Sequence, residues 1–384
     1  MFFIYNFSIM IVESIYLKNF RNYTEQTVTL APGLNVLVGG NAEGKTNMLE
    51  SIYFCSTFSS PRATKDKEMI RFNQDYAVVK LFIKKKYHTS SIKIKITSNN
   101  KKYVLVNDLE IKRASELLGE LGVVFFSPKE LKLIQESPDE RRRFLNISIS
   151  QQDKTYFTAL GEYTKVLQDK NALLKKKLET EHVDTMLDVY DAQLAEKGAF
   201  IIDKRTKFLE ILSDYSHRAN NKLSDNKETL SLEYDSDVSL NGNVKENLYN
   251  SLIAAREKDK QNGFTSVGPH RDDIKIVLNG NDARKFSSQG QQRSITLAMK
   301  LAALYIYKKE TGEYPVLLLD DVLSELDTNR QHKLLEMLKD IQIILTCTDY
   351  NLNVKGNIIN IKNGKVVWEQ DILNVNLLWI KLKI

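Results

Sequence analysis

The 384-residue chain has few of the residues that staple or kink a fold: two cysteines, six prolines and five histidines. Cys55 and Cys347 each sit inside an apolar run. That fits buried free thiols in a reducing compartment and excludes a disulfide framework. The histidines are scattered, and no His/Cys cluster has ligand spacing, so a metal site built from side chains alone is not expected. No segment reaches the length of a membrane span. The first twelve residues are apolar but carry no Lys or Arg and no small-residue cleavage pattern, which sets them apart from a secretion signal. Met10 is an alternative start. There is no internal repeat and no low-complexity linker. These absences predict a cytoplasmic protein without a membrane partner, of about two or three domains by length.

What is present is an ordinary globular composition, 42% hydrophobic and 27% charged, with a net charge of +6. So mild an excess says little about nucleic acid by itself. Its distribution says more: Lys84-Lys85-Lys86, Arg141-Arg142-Arg143 and Lys175-Lys176-Lys177 are local basic triplets, each equally readable as a solvated face.

One stretch carries chemistry directly. Gly39-Gly40-Asn41-Ala42-Glu43-Gly44-Lys45-Thr46 fits the G-x-x-x-x-G-K-[ST] phosphate-binding loop. It lies between a short apolar run, Leu34–Val38, and a segment with apolar residues at helical spacing, Asn47–Phe54. Glycines let the backbone wrap its N–H groups around phosphate oxygens, and the helix start adds its positive dipole end. Lys45 reaches the β- and γ-phosphates, and Thr46 offers a hydroxyl to Mg²⁺.

Along the chain, Ile11–Leu17, Gln26–Leu30, Ala77–Lys84, Ser91–Thr97, Lys102–Val106 and Gly122–Phe126 read as strands, with Asn99-Asn100 marking a hairpin turn. From about Lys129 the period becomes helical. Leu187, Tyr190, Leu194, Ile201, Phe208, Leu212 and Tyr215 form one stripe on a long helix. Strands return at Thr229–Tyr234 and Ile274–Leu278. A helix at Ser288–Lys308, a strand at Val316–Asp320, a helix at Asn329–Lys339 and strands at Ile341–Leu345, Ile358–Ile361 and Lys365–Trp368 follow. The expected fold is α/β. Its ATPase head is built from both chain ends, residues 1–127 and 228–384, around an inserted, mostly helical domain at 128–227.

The second half of a nucleotide site follows from Val316-Leu317-Leu318-Leu319-Asp320-Asp321. A buried parallel strand delivers two carboxylates at its C-terminal edge. Asp320 is placed for the Mg²⁺ shell, and Asp321 can orient or deprotonate an attacking water. Upstream, Ser287-Ser288-Gln289-Gly290-Gln291-Gln292-Arg293 opens a helix and offers a second anion site at its N-terminus, with Ser288, Gly290 and Gln291 as contacts. Read singly, Ser288 is better taken as a plain N-cap.

The order of phosphate loop, Ser288–Gln291, Val316–Asp321 and Ser324-Glu325-Leu326-Asp327 resembles an ATP-binding-cassette ATPase. The last two of these new motifs resemble the cassette's metal-binding strand and D-loop, and Ser288–Gln291 its signature. Closer still, Leu17–Tyr23 with its Asn19-Phe20-Arg21-Asn22-Tyr23, Pro32–Gly39, Phe126-Ser127-Pro128, Ser137-Pro138 with Arg141–Leu145, Gly268-Pro269-His270-Arg271-Asp272-Asp273 and Ser288–Arg293 are similar to the RecF family, from about Ile11 to Trp368. The resemblance implies a head like that of SMC proteins, with ATP and Mg²⁺ as cofactors. It implies an ATP-dependent homodimer in which one copy's signature covers the γ-phosphate held by the other. It also implies slow, DNA-stimulated hydrolysis serving as a switch, and work in DNA repair, recombination and replication and in the SOS response. DNA, RecR, RecO and RecA are the implied partners, at the nucleoid. For DNA contacts the basic residues on or near the head are preferred: Arg62, Lys65, Lys84, Lys85 and Lys86. The chain departs from the family pattern at Gly40, Glu43, Asn146 and Lys170, and Thr346-Cys347-Thr348-Asp349 has no switch histidine. An SMC protein would need several hundred residues of arm where only about 240 separate Thr46 from Ser287. A transporter ATPase subunit, the other alternative, is opposed by the missing histidine and the long insertion before Ser288.

Overall fold

The computed structural model describes residues 9–176, 181–224, 227–348 and 356–367. Met1, Lys177, Asp349 and Trp368 lie outside them. The chain forms two compact units, one from residues up to Glu130 together with those from Ala303 onward, the other from Leu131–Ala302. Residues 228–302, placed in the head by the sequence reading, belong to the second unit.

The first unit holds two sheets. One is antiparallel, in the order Tyr23–Thr29, Ile11–Phe20, Tyr76–Lys84, Thr89–Thr97, Lys102–Val106 and Leu109–Glu110. Its strands alternate: Val12, Ile15 and Leu17 are buried while Tyr16 and Lys18 are partly exposed, as a sheet with one wet face requires. The other is mostly parallel, in the order Lys365–Val367, Asn357–Lys362, Leu34–Val38, Ile343–Cys347, Val316–Asp320 and Val123–Phe126. Every residue of Val316–Asp320 and Val123–Phe126 is buried, the unbroken apolar run of parallel strands covered on both faces. The helix Lys45–Thr57 touches strands of both sheets. It is buried at nearly every position from Met48 to Ser56, which is why it shows no polar stripe.

This topology positions a site. Leu34–Val38, Ile343–Cys347 and Val316–Asp320 run parallel, with Cys347 beside Val38 and Thr346 beside both Leu37 and Asp320. The phosphate loop, Thr346 and the two carboxylates therefore leave the sheet at one edge, the C-terminal edge where such sheets bind ligands.

The second unit is built on helices Pro138–Ser150, Lys154–Lys175, Glu181–Ser224 and Val244–Asn262 and on the strands Leu230–Asp235, Asp273–Leu278 and Asn281–Asp282. Leu187, Leu194, Ile201 and Leu212 of the 44-residue helix are fully buried. The sequence reading passed over Val244–Asn262, whose buried stripe is narrow: Leu248, Leu252 and Asp259. Its ends were nonetheless marked, by Asn243 capping the Glu246 N–H and by Gly263 in the left-handed conformation. Charge fastens it. Lys170 and Asp191, both fully buried, pair at 2.6 Å, and Arg256 of this helix reaches the other Asp191 oxygen at 2.7 Å.

Candidate functional site

The loop 39–46 wraps a cavity of about 210 Å³ lined by Asn41 to Asn47, Arg62, Asp320, Asp321, Thr346 and Thr348. Two glycines in it are required by geometry. A Cβ on Gly39 would lie 2.2 Å from the Ile361 carbonyl oxygen. Gly44 holds φ at +117° with Asn22 and Tyr23 packed within 3.0 Å of where a Cβ would be. Lys45 is nearly buried, and its ammonium donates to the carbonyls of Gly39 (2.5 Å) and Gly40 (2.7 Å). Opposite, Thr46 Oγ1 donates to Asp320 Oδ1 at 2.8 Å, and Thr346 Oγ1 donates to the same oxygen at 2.9 Å. Asp321 leaves the strand with φ at +53°, its N–H given to Thr346 Oγ1 at 2.9 Å. This turn is unusual for a residue with a Cβ, and it sets the second carboxylate on the cavity wall beyond the first. One hydroxyl and one carboxylate side by side at a phosphate loop are hard oxygen ligands, the set Mg²⁺ takes when nucleotide phosphates and water complete its shell.

The loop is braced from outside its own motif. Asn22 Nδ2 donates to the Glu43 carbonyl at 2.9 Å and Tyr23 Oη to the Gly44 carbonyl at 3.0 Å. Asn47 Nδ2 donates to Asn22 Oδ1 at 2.8 Å. From the far end of the chain, Gly364 N–H donates to the Glu43 carbonyl at 2.9 Å, and the Asn363 N–H to the Glu43 carboxylate.

Beneath the first helix lies a charge cluster that the sequence reading missed. Glu50 is fully buried and accepts from Arg21 Nε (2.9 Å) and Nη2 (2.7 Å), Arg62 Nη2 (2.5 Å) and Ser60 Oγ (2.5 Å). Burial by itself pushes the Glu50 carboxyl up; the hydrogen bonds from Arg21 and Arg62 outweigh it and hold the group below its ordinary value. The available signal was a carboxylate interrupting the apolar run Met48–Cys55.

Arg62, expected on DNA, is exposed and lines the phosphate cavity, tied to Glu50 and to Asn47 Oδ1 at 2.6 Å. The lysine triplet is divided as well. Lys85 donates to the Gly119 carbonyl at 2.8 Å, Lys84 is half-buried at a strand end, and Lys86 is exposed with its ammonium 4.9 Å from the Tyr87 ring centre. Lys65 is exposed just before the short turn Asp66–Met69. A second cavity, of about 910 Å³, shares Asn47 with the first and is lined by Arg21, Asn22, Lys67, Ile70, Arg71 and the highly exposed Phe72.

In the second unit Ser288 and Gln291 form a reciprocal cap at the start of the helix Gln289–Thr311. The Ser288 N–H donates to Gln291 Oε1 at 2.8 Å, and the Gln291 N–H to Ser288 Oγ at 3.3 Å. Ser288 and Gln289 are exposed and Gly290 partly so. Two members of the Arg141-Arg142-Arg143 triplet are structural: Arg141 makes a two-pronged pair with Asp273 (2.6 and 2.9 Å), and Arg142 donates to the Asp272 carbonyl at 2.6 Å. His270 of the same stretch is half-buried with its Nδ1 2.7 Å from Tyr163 Oη, and its partial desolvation lowers its pKa to about 4, so it is neutral.

The RecF/RecN/SMC N-terminal domain family model matches residues 11–366. The chain is 42% identical over 362 residues to the DNA replication and repair protein RecF of Clostridium perfringens (strain 13 / Type A), covering 93% of this chain and 99% of that one. To the protein of the same name from Clostridium novyi (strain NT) it is 44% identical over 339 residues, 88% of this chain and 93% of that one. A solved structure of the recombination mediator protein RecF with ATP, in the RecFOR pathway, superposes with a TM-score of 0.89 at 36% identity, covering 95% of this chain and 99% of that one. The Smc head domain of Pyrococcus furiosus, solved with an extended coiled coil and the C-terminal domain of ScpA, gives a TM-score of 0.56 at 19% identity over 97% of this chain and 100% of that one, a likeness of fold alone.

Proposed function

The chain belongs to the RecF family of DNA replication and repair proteins, and from that membership and its site we propose an ATP-dependent, DNA-binding dimer of recombinational repair and replication-gap processing. Its fold is the ABC/SMC-like ATPase head with an added, mostly helical lobe. The observation that carries the reading is the meeting of Lys45, Thr46 and Asp320 around one cavity, with Thr346 joining the two halves of the site. In the proposed complex the Lys45 ammonium exchanges loop carbonyls for β- and γ-phosphate oxygens. Thr46 and Asp320 would hold Mg²⁺, which supplies charge neutralisation on the phosphates. Asp321, next along the wall, orients the attacking water. The larger cavity beyond Asn47, with exposed Phe72, is the side toward which base and ribose extend.

The exposed Ser288–Gln291 turn supplies N–H groups and a hydroxyl to the γ-phosphate held by a second copy, so ATP joins two chains. DNA is held through its backbone: basic residues outnumber acidic ones, and no recognition-helix motif is present. Arg62, Lys65 and Lys86 are the exposed members of the expected contact set, and of these Arg62 is tied to Glu50. RecR is the direct partner on this reading, with RecO and the loading of RecA downstream.

Sedimentation of the purified chain with ATP, ADP or no nucleotide, followed by binding to duplex, single-stranded and gapped DNA across a salt series, tests this. ATP alone should give a dimer, and log K on duplex should fall by about 0.9 per neutralised phosphate per unit of log salt. Equal dimerisation in all three nucleotide states, or affinity that depends on base sequence, would refute it.

A further inference from the structure

We propose that Glu228 is a positioning residue for the signature turn: it fixes the Gln291 side chain, and through it the Ser288 cap, to the C-terminal end of the 44-residue helix. Glu228 lies between that helix, which ends at Ser224, and the strand Leu230–Asp235. Its two carboxylate oxygens serve different elements. Oε2 accepts from Nδ2 of Asn220, in the helix's last turn, at 3.2 Å, and Oε1 accepts from Gln291 Nε2 at 3.0 Å. The other end of the Gln291 amide, Oε1, takes the Ser288 N–H at 2.8 Å. This chain sets the amide's orientation, because a flipped Gln291 would put oxygen against carboxylate and NH₂ against N–H. An unbroken path of hydrogen bonds therefore runs Asn220–Glu228–Gln291–Ser288.

The carboxylate is not needed to hold its own segment. Thr229 N–H donates to Asn279 Oδ1 at 2.7 Å, Asn279 N–H returns to the Thr229 carbonyl at 2.8 Å, and Leu230 to Asp235 pair with Leu278 to Asp273. With the backbone anchored that way, the Glu228 side chain is left to orient a glutamine whose exposed neighbours, Ser288 and Gln289, face outward. This inference rests on the proposed ATP sandwich, in which that turn covers the partner's γ-phosphate.

The test uses full-length Glu228→Ala and Glu228→Gln beside the unsubstituted chain. Three quantities are read: affinity for a fluorescent ATP analogue at concentrations where the chain is monomeric, the ATP-dependent dimer constant by sedimentation, and the unfolding midpoint. Glu228→Ala should weaken dimerisation on the order of tenfold, the loss expected for a hydrogen bond to a charged group. Monomer nucleotide affinity and the midpoint should stay unchanged. Glu228→Gln keeps a carbonyl oxygen for Gln291 Nε2, though its NH₂ opposes Asn220, and should recover most of the dimerisation. Dimerisation of Glu228→Ala equal to that of the unsubstituted chain overturns the proposal, as does a lowered midpoint that Glu228→Gln does not relieve, which would mark a merely structural residue. If the unsubstituted chain itself fails to dimerise with ATP, the sandwich falls first and this inference with it.

Discussion

Replacing Glu50 with glutamine tests whether the buried charge cluster beneath the phosphate loop holds the first unit together. The substitution preserves shape but removes the charge that two guanidinium groups share, and it turns an NH₂ toward Arg21 or Arg62. Breaking a buried pair by removing one partner costs about 3–5 kcal/mol. Here Arg21 and Arg62 keep side-chain exposures of 22% and 30%, so water recovers part of their solvation and the expected loss is about 2–3 kcal/mol. For a unit of this size that is a fall in melting temperature of about 5–10 °C. The pH dependence carries a sign. The folded carboxyl sits below its ordinary value of 4.5, so the stabilisation is complete above that value and is lost as pH falls through the lower folded value. The gap between the two proteins in urea titrations should thus be constant from neutral pH to about 5 and close in more acid solution. A difference below about 0.5 kcal/mol at pH 7, the range of an ordinary surface substitution, or a gap indifferent to acid, would refute the reasoning.

Lys45→Ala should weaken ATP binding and abolish turnover, measured by calorimetry and phosphate release, since Lys45 is the one cationic side chain of the loop 39–46. Asp320→Asn should leave much of the nucleotide binding but stop Mg²⁺-dependent hydrolysis; hydrolysis at the original rate would remove Asp320 from the metal shell. Ser288→Arg should spare ATP binding by the monomer while blocking the ATP-dependent dimer in sedimentation. Gly39→Ala should cost nucleotide affinity and at least about 1 kcal/mol of stability, because its methyl would meet a backbone carbonyl at 2.2 Å and only backbone movement relieves such overpacking.

The parts of the site legible in the sequence were those whose chemistry depends on local spacing. The loop 39–46, Asp320 and the cap at Ser288 are short motifs beside strongly patterned elements, and the strand Val316–Asp320 was read to the residue. The supporting residues were not legible, because their partners lie far away in sequence. Arg62 is an arginine in a serine-rich loop until the fold brings Glu50 to it. Thr346 registered for the histidine that does not follow it, whereas its hydroxyl joins the Asp320 carboxylate to the Asp321 backbone. The unit boundary was misjudged for a similar reason. The Asp273–Leu278 strand continues the β pattern of the head in sequence, yet it pairs only with Leu230–Asp235 and Asn281–Asp282 among the described residues, and Arg141 and Arg142 hold its entry.

Asn19-Phe20-Arg21-Asn22-Tyr23 shows why a family-specific motif can outrank a phosphate loop as evidence. Eight residues of loop suffice to identify a phosphate cradle, but a glycine-rich backbone has many conformations, and its working shape must be imposed from outside. Here Asn22 and Tyr23 hold the carbonyls of Glu43 and Gly44, Arg21 reaches under the helix to Glu50, and Asn363-Gly364 press on Glu43 from the opposite end of the chain. A Cβ on Gly364 would strike the Asn22 carbonyl oxygen at 2.6 Å, so the two braces also touch each other. The cradle is therefore complete only when the first and last described strands have closed on it. Residues 22 and 364 are accordingly packed against the loop itself, and a changed side chain at either would reach the proposed nucleotide site.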